Sequence, residues 1–393
     1  MVITNGFTYI AFLMMIAGSL LALEKYTKWK VFNIVPPLVF IYVLNMIFCT
    51  VGLYDSEGVS TAYNALKNNL LYAMIFVMLL RCDFRKMAKL GGRMVAIFLG
   101  GSLTLFVGTV VLYPLFKGVL GTNTWGAVAA LYASWVGGSA NMAAMQAALP
   151  VDSGAFGSAL ALDTVCYSLW IALLLLAVKY ESKWNKATNA DTSKLNAIAE
   201  AAAKEVNKDK QKASAADWIF LIGLSLMVSA LTQMAGEAIN TSLTEMGLDM
   251  FGSGTIVTVL VTVIGLVAAL SPLGKLPAVE ELSSVYLYAV VSLLASTASI
   301  TALVAAPMWI LFGLGILLIH TVLMFLLSKF FHWDLCMVST SSLANIGGSA
   351  SAPIIASAYD PAFSGIGVLM GVLGAAVGNF FGLAMGAVLQ MLA

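Results

Sequence analysis

The fold of this chain is decided by two stretches that share a motif, SWVGGSANMAAMQAALP at residues 134–150 and SSLANIGGSASAPIIASAYDP at residues 341–361. Each contains Gly-Gly-Ser-Ala, which begins at Gly137 in the first stretch and at Gly347, 210 residues further on, in the second. Glycine adopts the positive φ angles of tight turns at little steric cost. About 12 helical residues on each side of a glycine pair rise roughly 18 Å, a little over half of a bilayer's hydrocarbon core. The pattern therefore predicts two re-entrant helical hairpins.

The composition places this motif in a membrane protein. Hydrophobic residues make up 61% of the 393 residues and charged residues 10%, whereas a soluble domain carries about 25% charged residues. The charges are also concentrated, because 14 of the 20 basic and 19 acidic residues lie between Lys179 and Asp217. This composition excludes a soluble enzyme, a nucleic-acid-binding protein and a disordered scaffold. The four cysteines form no CxxC pair, so neither a disulfide framework nor a zinc site is expected.

A membrane-spanning helix needs about 20 apolar residues, and on that scale the chain contains twelve apolar blocks. Six precede and six follow the charged linker 179–217, which is expected to be a solvated helix or a flexible tether and not a second domain. The blocks lie near residues 7–23, 32–53, 63–80, 94–116, 125–150, 154–178, 218–236, 252–271, 282–300, 304–328, 334–358 and 363–391.

The distribution of basic residues indicates how many of these blocks cross the membrane. Lys25, Lys28 and Lys30 place the first loop in the cytoplasm and the N-terminus outside, and the Arg- and Lys-rich loop 81–93 is again cytoplasmic. If the next three blocks all crossed, the Lys-rich linker 179–217 would lie outside, against the positive-inside rule. One of the three blocks is therefore expected not to cross.

The block that fails to cross is predicted to be the hairpin 125–150, which would enter from outside and leave the linker in the cytoplasm. The matching block 334–358 is predicted to dip in from the cytoplasm. The expected fold is all-α and polytopic, with two repeats, 1–178 and 218–393, of about five transmembrane helices and one hairpin each. An odd number of spans inverts the second repeat. Inverted repeats with interrupted helices are the architecture of secondary transporters.

The motif also carries a resemblance to known families. The residues ASWVGGSANMAAMQAAL (133–149) and STSSLANIGGSASAPIIASAYDP (339–361) resemble the YjcL-like family of bacterial multi-pass membrane proteins of unknown function, along nearly the whole chain. More distantly, the hairpins are similar to those of the sodium–glutamate symporters and the 2-hydroxycarboxylate transporters. That similarity implies sodium coupling and hairpins at the binding site. The motif here continues Ser-Ala-Asn and Ser-Ala-Ser, unlike those relatives, so their substrate does not carry over.

The tips of the hairpins are the predicted solute site. Half-helix N-termini offer N–H groups and a positive dipole end to an anion, while unwound carbonyls and hydroxyls coordinate cations. Asn141 can both donate and accept, which suits a carboxylate or an amide. The alternative is that these polar groups cap their own broken helices. The predicted solute-binding residues are Gly137, Gly138, Ser139, Asn141, Gly347, Gly348, Ser349 and Ser351.

Asp163 is the predicted ion-coupling residue. It lies roughly 13 Å into the block 154–178, whose span contains no basic residue, and a lone carboxylate at such depth indicates function. It is expected to bind Na⁺ or carry a proton, or else to pack through a hydrogen bond to a neighbouring Ser or Thr. Its counterpart 210 residues on is Leu373, so the ion site would be asymmetric. Further ion-coupling residues with uncharged oxygens are Asn345, Ser341 and Ser342, for which helix packing is the competing interpretation. Asn379, in the last helix, is expected to join the ion-coupling residues as a polar partner across the pseudo-symmetry.

Three other polar residues are expected to have structural roles. Asp152 and Asp360 directly follow the two hairpins and are predicted to cap helices. His320 lies deep in block 304–328 and is predicted to be a hydrogen-bonded core residue, with a proton relay as the alternative.

These observations favour an ion-coupled secondary transporter of a small anionic or zwitterionic organic solute, with Na⁺ favoured over H⁺. Alternating access is expected to be elevator-like, in a homodimer in the bacterial cytoplasmic membrane. A channel or uncoupled facilitator is the alternative, and an intramembrane enzyme is a remote one. The chain has no GxxxxGK[ST] motif for ATP. No cofactor other than the coupling ion, no metal other than Na⁺ and no nucleic-acid partner is expected, and the solute and the direction of transport stay open.

Overall fold

A computed structural model describes most of the chain. It covers residues 2–33, 35–54, 57–83, 85, 91–192, 195, 200, 213–246, 252–297 and 306–393, with the backbone alone at residues 33, 306, 349, 350 and 361. All regular structure in these ranges is helical.

The described residues form fourteen α-helices, eight before and six after the gap in the linker. The first eight are α1 (Gly6–Thr27), α2 (Pro37–Thr50), α3 (Glu57–Leu79), α4 (Gly91–Leu120), α5 (Trp125–Gly137), α6 (Ser139–Ala148), α7 (Ser153–Ala177) and α8 (Glu181–Thr188). The other six are α9 (Ala215–Glu245), α10 (Ser253–Ala269), α11 (Val279–Ala295), α12 (Ala306–Phe331), α13 (Leu335–Tyr359) and α14 (Ser364–Leu392).

The helices are those of a multi-pass membrane protein. Six segments are long and apolar enough to cross a bilayer, and they correspond to α1, α4, α7 with α8, α9, α12 and α14. Two shorter apolar helices are α2 and α10. Large apolar side chains point outward from several of them, as Leu103, Leu115 and Leu318 do. An exposed apolar surface of this kind requires a lipid environment, so the predicted all-α membrane class is confirmed.

Each motif contains one helix interruption, at its second glycine. Gly138 separates α5 from α6 with φ 100° and ψ 176°, and Gly348 lies inside α13 with φ 69° and ψ −161°. Both conformations belong to a region of backbone space that is essentially restricted to glycine. The arms of the first interruption are 13 and 10 residues long, close to the length predicted from the sequence.

The chain reverses direction at Gly348. The hydroxyl groups of Ser339 and Tyr359, near the two ends of α13, are 3.1 Å apart. Twenty residues of straight helix would separate them by about 30 Å. The two arms of α13 therefore lie side by side, and both ends of this helix are at the same end of the molecule.

Contacts between loops define two ends of the helical bundle. Arg81, after α3, forms an ion pair with Glu280 of α11 at 3.2 Å, and Arg85 donates a 2.8 Å hydrogen bond to the carbonyl of Leu270, after α10. Arg93, at the start of α4, donates to a carbonyl in the turn between α12 and α13 at 2.7 Å. We call this the basic end, because it gathers the arginines of the α3–α4 region.

The opposite end gathers a separate set of helix termini. Thr255, at the start of α10, donates a 2.7 Å hydrogen bond to the carbonyl of Ala148, where α6 ends. Trp309 of α12 donates to the carbonyl of Leu120, where α4 ends, at 3.2 Å. The start of α5 also lies here, since Gly126 is in close contact with the carbonyl of Pro150, after the end of α6. Both ends of the α5–α6 pair therefore lie at this opposite end.

The first residues of linker 179–217 pack against the basic end. Asn185 of α8 accepts a 2.9 Å hydrogen bond from the backbone N–H of Leu335, the first residue of α13. Asp191 forms an ion pair with Arg93 at 3.2 Å. This part of the linker is consequently attached to the bundle. It contains the helix α8, in which only Thr188 is buried, in agreement with the solvated helix that was one of the two expectations. The rest of the linker lies, for the most part, outside the described residues.

The two predicted aspartate caps have different outcomes. Asp152 caps α7, as predicted, because its carboxylate accepts hydrogen bonds of 2.9 Å from the backbone N–H groups of Gly154 and Ala155. Asp360 accepts a 2.8 Å hydrogen bond from Ala362, in a 3₁₀ turn that precedes α14. It therefore stabilises this turn and does not cap α14 itself, which begins at Ser364.

Candidate functional site

The two interrupted helices meet at a cavity of about 220 Å³. Gly138 and Gly347, one from each motif, both line it. The apolar part of its wall comes from Leu160 and Ile346 and from the beginning of α2, including Pro36. The polar part consists of Ser134, Ser139, Asp163, Thr164, Tyr167 and Ser351.

Asp163 lies in this cavity on the face of α7 that points at the interruptions. Leu160, Asp163, Thr164 and Tyr167 all line the cavity, and their spacing of i, i+3, i+4 and i+7 is that of one helix face. The carboxylate of Asp163 accepts two hydrogen bonds of 2.8 Å, one on each oxygen. The hydrogen-bonded role that was the alternative for Asp163 is thus present, and the carboxylate also faces open space.

The N-terminus of α6 forms a second polar part of the wall. Gly138 precedes it and supplies no side-chain cap. The backbone N–H of Gly138 donates to the carbonyl of Ser134 at 2.7 Å, which closes the last turn of α5 directly before the interruption. Because Ser139 lines the cavity, the positive end of α6 lies at its wall.

The second interruption contributes Gly347 and Ser351. The hydroxyl of Ser351 donates a 2.5 Å hydrogen bond to the carbonyl of Gly347, so this serine caps its own broken helix while also lining the cavity. Gly348 provides the turn. The side chain of Ser349 lies outside the described part of the chain.

Asn141 and Asn379 are bonded to each other and do not line the cavity. The Nδ2 of Asn141 donates to the Oδ1 of Asn379 at 2.8 Å, and the Nδ2 of Asn379 donates to the hydroxyl of Thr262 on α10 at 2.9 Å. Asn141 is fully buried, and its Oδ1 has no hydrogen-bond partner among the described residues. These amides connect α6, α14 and α10 behind the first interruption.

Asn345 and Ser341 face α4 and do not line the cavity. The Oδ1 of Asn345 accepts a 2.6 Å hydrogen bond from Ser102, and its Nδ2 donates to the carbonyls of Phe98 at 3.3 Å and of Ser341 at 3.0 Å. Both the oxygen and the nitrogen of this amide are therefore hydrogen-bonded within the protein. These bonds are compatible with the packing role that competed with ion binding for these residues.

Ser342 belongs to a buried chain of hydrogen bonds around His320. It accepts from the indole N–H of Trp170 at 2.9 Å, and its hydroxyl is 2.8 Å from the Nε2 of His320. The Nδ1 of the same ring is 2.6 Å from the hydroxyl of Thr104, which donates to the carbonyl of Gly101 at 2.7 Å. His320 is therefore a fully hydrogen-bonded core residue, as predicted.

Sequence reasoning missed several residues of the cavity. Ser134 lines the cavity and Trp135 is buried outside its lining, and both donate to Asp163. Val136 separates them from the glycine pair. Thr164 and Tyr167 follow Asp163 on its own helix face, a periodicity that could have identified them. The contribution of Pro36 had no signal in the sequence, because the approach of α2 to α7 is set by tertiary packing.

The described helices, with two glycine interruptions facing one cavity, define a multi-pass α-helical membrane protein. The chain belongs to the family of proteins of unknown function termed DUF819, whose model matches residues 11–392. No curated protein matches the chain significantly. The expected membership in a family of uncharacterised membrane proteins is thereby confirmed, and the more distant similarity to two transporter families stays a prediction.

Proposed function

We propose that this protein is a secondary transporter that couples the movement of a small anionic or zwitterionic organic solute to an ion, with Na⁺ favoured over H⁺. One observation carries the proposal: both glycine interruptions and the carboxylate of Asp163 face the same cavity. Interrupted helices that converge on one small cavity are a feature of transporter binding sites. The chain acts as a transporter and not as an enzyme.

The topology that this function requires is two inverted repeats. With the basic end in the cytoplasm, ten helices cross the membrane, the α5–α6 pair enters from outside, and α13 enters from the cytoplasm. Helix packing supports the repeat, because α9 packs on α3 as α1 packs on α11, and α10 packs on α3 as α2 packs on α11; the inversion follows from the odd number of spans in each repeat. The N-terminus is then outside and the linker cytoplasmic, in agreement with the basic residues of the first loop.

The charges around the cavity support a cation as the partner of the solute. Among the described residues that line the cavity, Asp163 is acidic and none is basic. A solute carboxylate would meet the N-terminus of α6 but no positive side chain. Na⁺ bound at Asp163 supplies the missing positive charge, so ion and solute raise each other's affinity by the same factor.

The position of the cavity supports an elevator-like movement. Its wall combines Pro36, Leu38 and Val39, around the beginning of α2, with residues of α5, α6, α7 and α13. We assign α4–α7 and α12–α14 to a moving body and α1–α3 and α9–α11 to a static, dimerising scaffold. The cavity lies at the boundary between the two.

Thermal stability of the purified protein in NaCl and in KCl tests the ion site. The expected result is a Na⁺-specific rise in the melting temperature that is absent in Asp163→Asn. Asp152→Asn is the matched control, because it changes a carboxylate that caps the same helix, α7, and lies outside the cavity. If the Na⁺ effect persists in Asp163→Asn, the ion does not bind at Asp163.

Transport itself is tested in liposomes that contain the protein and a panel of labelled amino acids and carboxylates. An ion-coupled transporter accelerates the exchange of its own labelled solute when unlabelled solute is loaded on the other side. A channel gives no such acceleration. Uptake that is independent of the Na⁺ and H⁺ gradients contradicts ion coupling.

A further inference from the structure

Two consecutive residues hold the carboxylate of Asp163. The hydroxyl of Ser134 donates to Oδ2, and the indole N–H of Trp135 donates to Oδ1, each at 2.8 Å. Trp135 is fully buried and Ser134 is 2% exposed. They occupy the last turn of α5, and Val136 separates them from Gly137 and Gly138.

This arrangement fixes both oxygens of the carboxylate from one side. A carboxylate accepts about four hydrogen bonds or ion contacts, so each oxygen keeps capacity for a ligand in the cavity. The indole N–H can only donate, and a bond to an ionised acceptor is stronger than one between neutral groups. Trp135 therefore orients the carboxylate of Asp163 and favours its charged form.

Ser134 is also bonded to the first interruption. The carbonyl of Ser134 accepts the 2.7 Å hydrogen bond from the N–H of Gly138. On the other side, Val136 and Gly137 are in close contact with the backbone of Gly374 on α14. The end of α5 is thus held between Asp163 and α14.

We infer that Ser134 and Trp135 are positioning residues that couple the occupancy of Asp163 to the conformation of the first interruption. A cation that binds Asp163 stabilises one arrangement of Gly138 and of the N-terminus of α6, where the solute carboxylate would bind. The inference rests on the proposed ion site. It adds the physical route by which binding of the ion at Asp163 affects the solute site.

The experiment measures how fast a cysteine at the interruption reacts with a thiol reagent, with and without Na⁺. Ser139→Cys provides the probe, in a background where the partly exposed Cys49 is replaced by Ala. The other three cysteines are buried. In this parent protein Na⁺ is expected to slow the reaction roughly tenfold, the factor that corresponds to about one charge-assisted hydrogen bond.

The variants Ser134→Ala and Trp135→Phe are each expected to reduce this Na⁺ effect to less than twofold, although Asp163 is intact. The matched control is Trp170→Phe, which removes another buried indole N–H, one that donates to Ser342 outside the cavity. This control should keep the full Na⁺ effect. A role in packing alone would change the melting temperature of all three variants and leave the Na⁺ effect in place.

The outcomes separate the inference from the function on which it rests. If Asp163→Asn abolishes the Na⁺ effect and both Ser134→Ala and Trp135→Phe retain it, the coupling route is wrong and the ion site stands. If the parent protein shows no Na⁺ effect, the ion site at Asp163 fails and the inference fails with it. Loss of the effect in the Trp170→Phe control also overturns the assigned route.

Discussion

Replacement of the turn glycines isolates the cost of a backbone conformation. At Gly138 and at Gly348 a Cβ atom would meet nothing within 4 Å, so Gly138→Ala and Gly348→Ala introduce no clash. Both residues nevertheless have φ and ψ angles that L-amino acids rarely adopt. A residue in such a region costs about 1–3 kcal/mol, and each variant is expected to lose that amount of stability.

A helical glycine with equal space around it provides the control. At Gly223, in α9, an added Cβ would also meet nothing within 4 Å, and this residue has ordinary helical geometry. Gly223→Ala is expected to stabilise the protein by about 0.5–1 kcal/mol, because alanine is the better helix former. The turn variants should therefore melt below the parent protein, and Gly223→Ala at or above it.

The assay is the thermal transition of each purified variant in the same detergent. Because the added methyl groups touch nothing, a loss at Gly138 or Gly348 can only come from the backbone. If either turn variant is as stable as Gly223→Ala, the positive φ angle is not required there. The interpretation of these glycines as the points where the chain must turn would then be wrong.

Three further predictions concern packing and charge. Gly374→Ala should cost about 1–3 kcal/mol, measured by thermal unfolding, since its methyl group would meet the carbonyl of Val136, which cannot move aside as a side chain could. Burial raises the pKa of Asp334, a cap at the basic end with one unpartnered oxygen among the described atoms. Its folded-state pKa exceeds the unfolded value, so stability falls as pH rises through that interval, and Asp334→Asn should raise the melting temperature at pH 7 and lose the advantage near pH 4. Glu280→Gln should change stability by less than about 1 kcal/mol, because the Glu280 side chain in its ion pair with Arg81 is exposed; a larger loss of thermal stability would show that this pair is more than a surface contact.

The positions of the two interruptions were predictable because they follow from local chemistry. A glycine pair in an otherwise apolar helix favours a turn, and the turn occurs at the second glycine of each pair. Asp163 was predictable for a similar reason, since a single carboxylate in an apolar helix needs polar partners. It lines the cavity, and its role in ion coupling stays a prediction.

The orientation of side chains around each helix was harder to predict. Ser139 and Asn141 were expected in one site, but residues two apart on a helix point in nearly opposite directions. Ser139 faces the cavity, and Asn141 faces α14. Elementary helix geometry could have separated these two residues, although it could not have said which one faces the cavity.

The rotation of α13 depends on a contact between distant parts of the chain. Asn345 lies close to Gly101 of α4, where a Cβ would be 3.0 Å from its Nδ2. This close approach turns Ser341 and Asn345 toward α4 and leaves Ile346 and Gly347 facing the cavity. No local pattern encodes it, because it depends on how two helices from different halves of the chain meet.

The division of the cavity between the halves has a genetic consequence. Of the described residues that line it, Gly138 and Asp163 come from before the linker, and Gly347 and Ser351 come from after it. A gene that encoded either half alone would specify an incomplete cavity. Two half-genes expressed together would encode complementary polypeptides, each of which supplies what the other lacks. A single fused gene makes the two in equal number, so that no half is left in the membrane without its complement.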